Sequence, residues 1–225
     1  FSTIIRNVTI FNTQDQISTA EDLSKVILKR KSYIIYGLIN YKIYIFDTAG
    51  SLLFKNNTKL IQTSTPNYCT LSPVGYSGQV YYFIIGYFDN NNYLNLIGYS
   101  YDAQNNRARL IYSLKNNAFK IKRYDSYYGE YYYDSYSFRN RGLSCEYLKV
   151  YSRDEYYLVC FFVVFYEGSE CLLEGYYKVT TLSITNEYDI QNAGFAYDNI
   201  NFIKSDKSYN NDRVLICAVQ NNGQS

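Results

Sequence analysis

The sequence contains no histidine, no methionine and no tryptophan, and only 2 prolines in 225 residues. Without imidazole there is no Ser-His-Asp triad, no Cys-His pair, no zincin helix and no side chain that titrates near neutrality unperturbed. An excess of one charge is missing too. The 22 Lys+Arg stand against 20 Asp+Glu, a net +2, which offers no footprint for nucleic acid or an anionic membrane surface. The longest clean apolar run, residues 158–166, is half the roughly 18 residues that a membrane helix needs. Neither nucleic acid nor a membrane segment is expected.

What remains is 47% hydrophobic, with 30 tyrosines and 13 phenylalanines, enough apolar surface for one or two cores. The chain begins with Phe1 and holds no Met, so the expectation is a single β-repeat domain over 1–225 that is a piece of a longer polypeptide.

Cys69, Cys145, Cys160, Cys171 and Cys217 include no C-x-x-C or other zinc spacing, so no metal site is expected. Cys145 and Cys160 flank a turn at Ser152 and Arg153 and lie equidistant from its centre. In a simple hairpin they face each other, at a separation that suits a disulfide. Two N-x-[ST] triplets make Asn7 and Asn56 candidate glycosylation sites. A disulfide and glycans together point to secretion.

Helical periodicity is nearly absent. Short runs of Ile, Val, Tyr, Phe and Leu are cut by Asn, Asp, Gly and Ser, which reads as all-β. One helix is a candidate over 18–30, where Ser18 and Glu21 have capping-box spacing, although Lys25-Val26-Ile27-Leu28 reads equally as a strand. Hairpins are expected from 32–38 with 41–47, 80–88 with 93–101 and 157–166 with 171–180, and 214–219 would begin a fourth. Their turns fall near 40, 90, 168 and 222, which makes a unit of about fifty residues with one insertion. An upstream strand recurs: Cys69 precedes Ile84 by 15, Cys145 precedes Cys160 by 15 and Phe202 precedes Cys217 by 15. With 52–54, 109–112 and 181–184 as fourth strands, each unit is a four-stranded antiparallel sheet, the pattern of a β-propeller or part of one. The alternative is a β-sandwich whose hairpins look alike.

Leu143-Ser144-Cys145-Glu146-Tyr147-Leu148, followed by Leu158-Val159-Cys160-Phe161-Phe162, resembles cysteine-containing β-propeller repeats of large secreted or cell-surface proteins of AT-rich protists. Asp47-Thr48-Ala49-Gly50-Ser51-Leu52-Leu53 also resembles the D-x-x-G-x-L-L turn of quinoprotein-like blades, without the Trp those blades dock. The resemblance implies an extracellular fold and brings no catalytic residue and no cofactor.

Oxygen-rich tips such as Asp89-Asn90-Asn91-Asn92, and likewise Asp102 with Asn105 and Asn106, carry too few carboxylates for calcium and read as Asn-rich turns. Glu130, Asp134, Glu146, Asp154, Glu155, Glu167, Glu170 and Glu174 could supply a glycosidase-type carboxylate pair, yet no spacing selects two of them. The distinctive segment is an insertion over 124–141. Tyr124, Tyr127, Tyr128, Tyr131, Tyr132, Tyr133 and Tyr136 lie there among Asp125, Glu130, Asp134, Arg139 and Arg141. Tyrosine joins a rigid apolar ring to a hydroxyl, which suits protein and sugar surfaces. The function expected is a non-enzymatic extracellular structural or adhesive module that assembles with other copies or with glycans through Tyr-rich loops, this insertion above all. The alternative is a carbohydrate-active propeller enzyme using a carboxylate pair.

Overall fold

The structure is a computed structural model that describes residues 26–56, 68–150, 154–166, 169–186, 195–196, 200–207 and 214–220. Every regular element among the described residues is a β-strand. The first sheet is a meander of β1 (Val26–Lys31), β2 (Ile34–Ile39), β3 (Lys42–Asp47) and β4 (Leu52–Lys55). The second repeats it with β5 (Cys69–Ser77), β6 (Val80–Phe88), β7 (Leu94–Asp102) and β8 (Arg107–Asn116). The third is built from β9 (Ala118–Asp125), β10 (Glu130–Val150), β11 (Glu155–Tyr166), β12 (Ser169–Val179) and β13 (Ile184–Asn186), in the order β13-β12-β11-β10-β9, with β14 (Phe195–Ala196) also on β12. The last holds β15 (Ile200–Lys207) and β16 (Val214–Gln220). All pairings are antiparallel.

The turns explain why these runs fold back where they do. Asn40 and Tyr41 both adopt left-handed φ, 47° and 62°, the twist a two-residue hairpin requires, so the turn lies one residue beyond the expected Ile39-Asn40. At the D-x-x-G turn, Asp47 Oδ1 accepts the Ser51 N–H at 2.8 Å while Gly50 takes φ 88°. Asp89 Oδ1 accepts the N–H groups of Asn91 and Tyr93, both at 3.0 Å, and Asp102 Oδ1 accepts that of Gln104 at 3.0 Å. These oxygen-rich tips are Asx turns.

The continuous apolar strands are continuous because they serve two cores. In β11, Leu158, Cys160, Phe162 and Val164 enter the core shared with the second sheet, while Tyr157, Val159, Phe161 and Val163 face the other way with Ile203. In β6, Ile84 and Phe88 pack towards the third sheet, whereas Phe83 and Ile85 pack towards the first. The sheets therefore stack in chain order, with a core in each of the three gaps. A two-sheet sandwich would hold one. Their first full-length strands, β1, β5, β10 and β15, lie against one another in the same order.

Several expectations need correction. Residues 26–30 of the proposed helix belong to β1, which pairs with all six residues of β2; residues 18–25 lie outside the described residues. The fifteen-residue spacing marks cross-strand partners only at Cys145 and Cys160. Cys69 pairs with Tyr87 and Cys217 with Lys204, because the turns of those hairpins sit elsewhere. Strand 214–219 pairs along β15, the upstream strand expected for it, and the return strand that would complete a fourth hairpin lies outside the described residues. The insertion is not a loop either: β9 and the first half of β10 form a hairpin continuous with the third sheet. Between Arg139 and Leu143 the register of β10 shifts on β11, and Gly142 at this bulge lets β15 approach. A Cβ there would lie 2.7 Å from Ile203 Cγ1.

Candidate functional site

The tyrosine hairpin is locked by its own turn. Asp125 Oδ1 accepts the N–H groups of Tyr127 and Tyr128 at 2.8 and 3.2 Å, Gly129 N–H donates to Asp125 O at 2.8 Å, and Gly129 takes φ 70°. Register then sorts the tyrosines. Tyr124 pairs with Tyr131, which puts their rings 5.1 Å apart on the face that Tyr133 shares, and Tyr132 pairs with Arg123 on the opposite face. Tyr127 and Tyr128 meet edge-on at the turn, 4.9 Å between centroids, and are 86% and 74% exposed. Tyr124, Tyr131, Tyr132 and Tyr133 are exposed as well, so this end of the hairpin projects beyond the core.

Tyr136 does not belong to that surface. It is only 4% exposed, packs in the core between the second and third sheets, and its Oη accepts from Arg123 Nη2 at 2.8 Å. Arg123 Nε also holds Asp134 Oδ2 at 2.9 Å, so one guanidinium ties the projecting part to its root. The alternation is that of a strand entering a core: Tyr136 and Phe138 point in, while Ser135 and Ser137 point out.

A second polar cluster forms where the first full-length strands of the four sheets meet. Glu146 on β10 is completely buried, and its Oε1 accepts from Lys29 Nζ of β1. Lys29 also donates to Ser205 O at 3.1 Å and lies 3.6 Å from Asp206 Oδ1, both on β15. Lys31 Nζ donates to Val74 O of β5, and Lys207 Nζ donates to Tyr147 O at 3.0 Å. Burial raises the Glu146 carboxyl above its ordinary range, opposed by Lys29 and Lys207, and Oε2 is buried without a hydrogen-bond partner. Burial, with Lys31 nearby, pushes Lys207 down to about 8, and burial lowers Lys31. Hydroxyls fasten the same strands where no ladder runs between them. Thr70 Oγ1 accepts the Cys145 N–H at 2.8 Å, Ser72 Oγ that of Tyr147 at 2.9 Å, and Ser144 Oγ that of Ser205 at 2.9 Å. Sequence reasoning missed this cluster. The signal was the cationic run Lys29-Arg30-Lys31 on one strand and Glu146 inside the otherwise apolar 143–148 of another, charges where a packed strand should be apolar.

Cys145 and Cys160 are joined by a disulfide, directly opposed on β10 and β11 with Cα atoms 4.0 Å apart, inside the core. Asn56 ends the first sheet half-buried, its N–H donating to Ile43 O at 2.9 Å; Asn7 lies outside the described residues. The candidate carboxylates are dispersed among structural roles. Asp134 holds Arg123, Asp154 pairs with Lys149, Glu155 with Lys178, and Glu174 accepts from Tyr176 Oη, while Glu130 sits exposed on the hairpin. Glu167 lies outside the described residues, and Glu170 falls in β12. Among the described residues no cluster of acids and cysteines is arranged to hold a metal ion, and no helix is long and apolar enough to cross a membrane.

No protein-family model matches the chain, and no curated protein is similar to it.

Proposed function

We propose that this chain is an extracellular structural module of the β-propeller type, and that its tyrosine hairpin docks onto a second copy of the chain. The observation that carries the reading is the set of six exposed tyrosines on one two-stranded projection. A monomer has no folding reason to place that much ring surface in water, and such patches favour association. A second copy is the occupant because the segment 120–134 is its own electrostatic complement: Lys120, Lys122 and Arg123 balance Asp125, Glu130 and Asp134. A neutral patch does not repel itself, whereas a cationic or anionic partner gains nothing from it. An exposed Lys120 on β9, the end strand of the third sheet among the described residues, disfavours strand addition, so the contact runs through ring faces. The propeller reading rests on successive meander sheets stacked in chain order with their first full-length strands together. Secretion rests on the buried disulfide, which an oxidising compartment sustains. A carbohydrate-active enzyme is not the reading favoured, since the carboxylates that would serve it are dispersed among turns and ion pairs.

Replacing Tyr131, Tyr132 and Tyr133 together with Ser tests the docking. Analytical ultracentrifugation should show the parent associating and the variant monomeric, at an unchanged thermal midpoint. A monomeric parent that is retained on a glycan array would replace the second copy by a sugar; a variant that associates normally would end the reading.

A further inference from the structure

We propose that the tip of the hairpin is a site of oxidative tyrosine coupling, at which two copies become joined covalently through Tyr127 or Tyr128. The inference rests on the docking reading and adds the chemistry that would make the contact permanent. Three observations lead to it.

First, composition leaves the phenol as the main side chain open to one-electron oxidation. There are 30 tyrosines and no Trp, Met or His to compete for an oxidant; of the 5 cysteines the disulfide takes Cys145 and Cys160 out of play, and Cys69 and Cys171 lie on other strands, away from the hairpin tip. Second, Tyr127 and Tyr128 are the most exposed of the hairpin tyrosines and sit at a convex turn, where the ring edges of one copy can meet those of another. Third, the turn is rigid. Asp125 and Gly129 fix its backbone, so the rings are presented rather than folded back.

The chemistry needs a peroxidase-type one-electron oxidant with hydrogen peroxide, as an extracellular matrix can supply. Each phenol loses one electron and one proton to give a phenoxyl radical. Two radicals join by a carbon–carbon bond between positions ortho to oxygen, and the two displaced ring hydrogens move to the oxygens to restore both phenols. Over the whole step two tyrosines lose two electrons and two protons, and one hydrogen peroxide takes them up to become two waters.

Exposed tyrosines elsewhere set the control. Tyr33, at the turn between β1 and β2, is 78% exposed but belongs to the first sheet rather than to the hairpin. Within the hairpin, Tyr124 and Tyr131 already face each other across two strands, which favours an intrachain bond over an intermolecular one.

The test treats the full chain with a haem peroxidase and limiting hydrogen peroxide, then reads covalent dimer on a denaturing gel, dityrosine fluorescence and the sequenced cross-linked peptide. The parent should give dimer joined through the 127–128 peptide. The double variant Tyr127→Phe with Tyr128→Phe keeps both rings but has no O–H to oxidise; compared with the parent at concentrations where sedimentation shows the two equally associated, it should lose most of the covalent dimer. Tyr33→Phe should change nothing. The proposal is overturned by a double variant that cross-links like the parent, by a bond that maps to Tyr33, or by oxidation that yields only the intrachain Tyr124–Tyr131 product. Loss of non-covalent association in the parent would instead strike the docking reading, since sedimentation without oxidant measures that alone.

Discussion

The cluster around Glu146 and the projecting hairpin are both made of charged residues beside tyrosines, both include part of β10, and they behave in opposite ways. At the cluster, sheets press from both sides, and a carboxylate with no exposed surface must find Lys29 while backbone carbonyls take up the remaining lysines. Thirteen to fifteen residues earlier on the same strand come Tyr131, Tyr132 and Tyr133, where the hairpin runs out beyond the core and six tyrosines in all stand in water. Residue type did not decide between these fates. The number of layers covering the strand did: a buried charge requires a partner, whereas an exposed ring requires nothing until a second surface arrives.

The sharpest way to break that contrast is to cut the same side chain at both ends of one strand segment. Tyr136→Ala removes a buried ring and the acceptor of Arg123, and should lower stability by about 4 kcal/mol, whereas Tyr131→Ala should stay within about 0.5 kcal/mol. Urea denaturation of the two variants checks it; equal losses would mean that the hairpin is core.

Glu146→Ala leaves Lys29 without its carboxylate and should cost about 3 kcal/mol, the low end for a broken buried pair because Lys29 keeps a fifth of its side chain in water. The same measurement on Glu130→Ala, out on the hairpin, should show almost no change.

Opening the disulfide by Cys145→Ser with Cys160→Ser releases a 15-residue closure and should cost about 3 kcal/mol by loop entropy, less whatever strain the bond held. Thermal unfolding should shift accordingly, while the sedimentation behaviour of the folded protein, set by the hairpin, should not.

The smallest effect is one of pH. Lys207 titrates near 8 when folded and near the ordinary 10.5 when unfolded, so between those values the unfolded chain binds the extra proton. Stability therefore rises with pH through that window, and Lys207→Met should flatten the rise relative to the parent. Urea midpoints measured from pH 7.5 to 9.5 give the comparison. The raised Glu146 acts with the other sign at lower pH: the folded form holds its proton longer, so its contribution falls as pH rises above the ordinary carboxylate value.

Much of the fold could be read from the sequence because strand signals are local. The runs 34–39 and 80–88 carry their turns beside them, and Asn40 and Asp89 set those turns with their own backbone or side chain, as Asp102 sets the turn after 94–102. The disulfide followed from symmetry about one turn, since opposition across a hairpin is fixed by counting from its centre. The same counting failed at Cys69 and Cys217, where the centre of the turn had been misplaced by one or two residues and register moves with it.

What the sequence determined alone, then, was the all-β class, the positions of most hairpins, the pairing of Cys145 with Cys160 and the exceptional tyrosine content of 124–136. Tertiary structure decided which of those tyrosines is core, that the insertion is a sheet extension, and that Lys29, Lys31, Glu146 and Lys207 meet. The physical reason is separation. A turn and its flanking strands interact within a dozen residues and leave their pattern in the chain, whereas Lys29 and Glu146 lie 117 residues apart and are joined only by how the sheets stack.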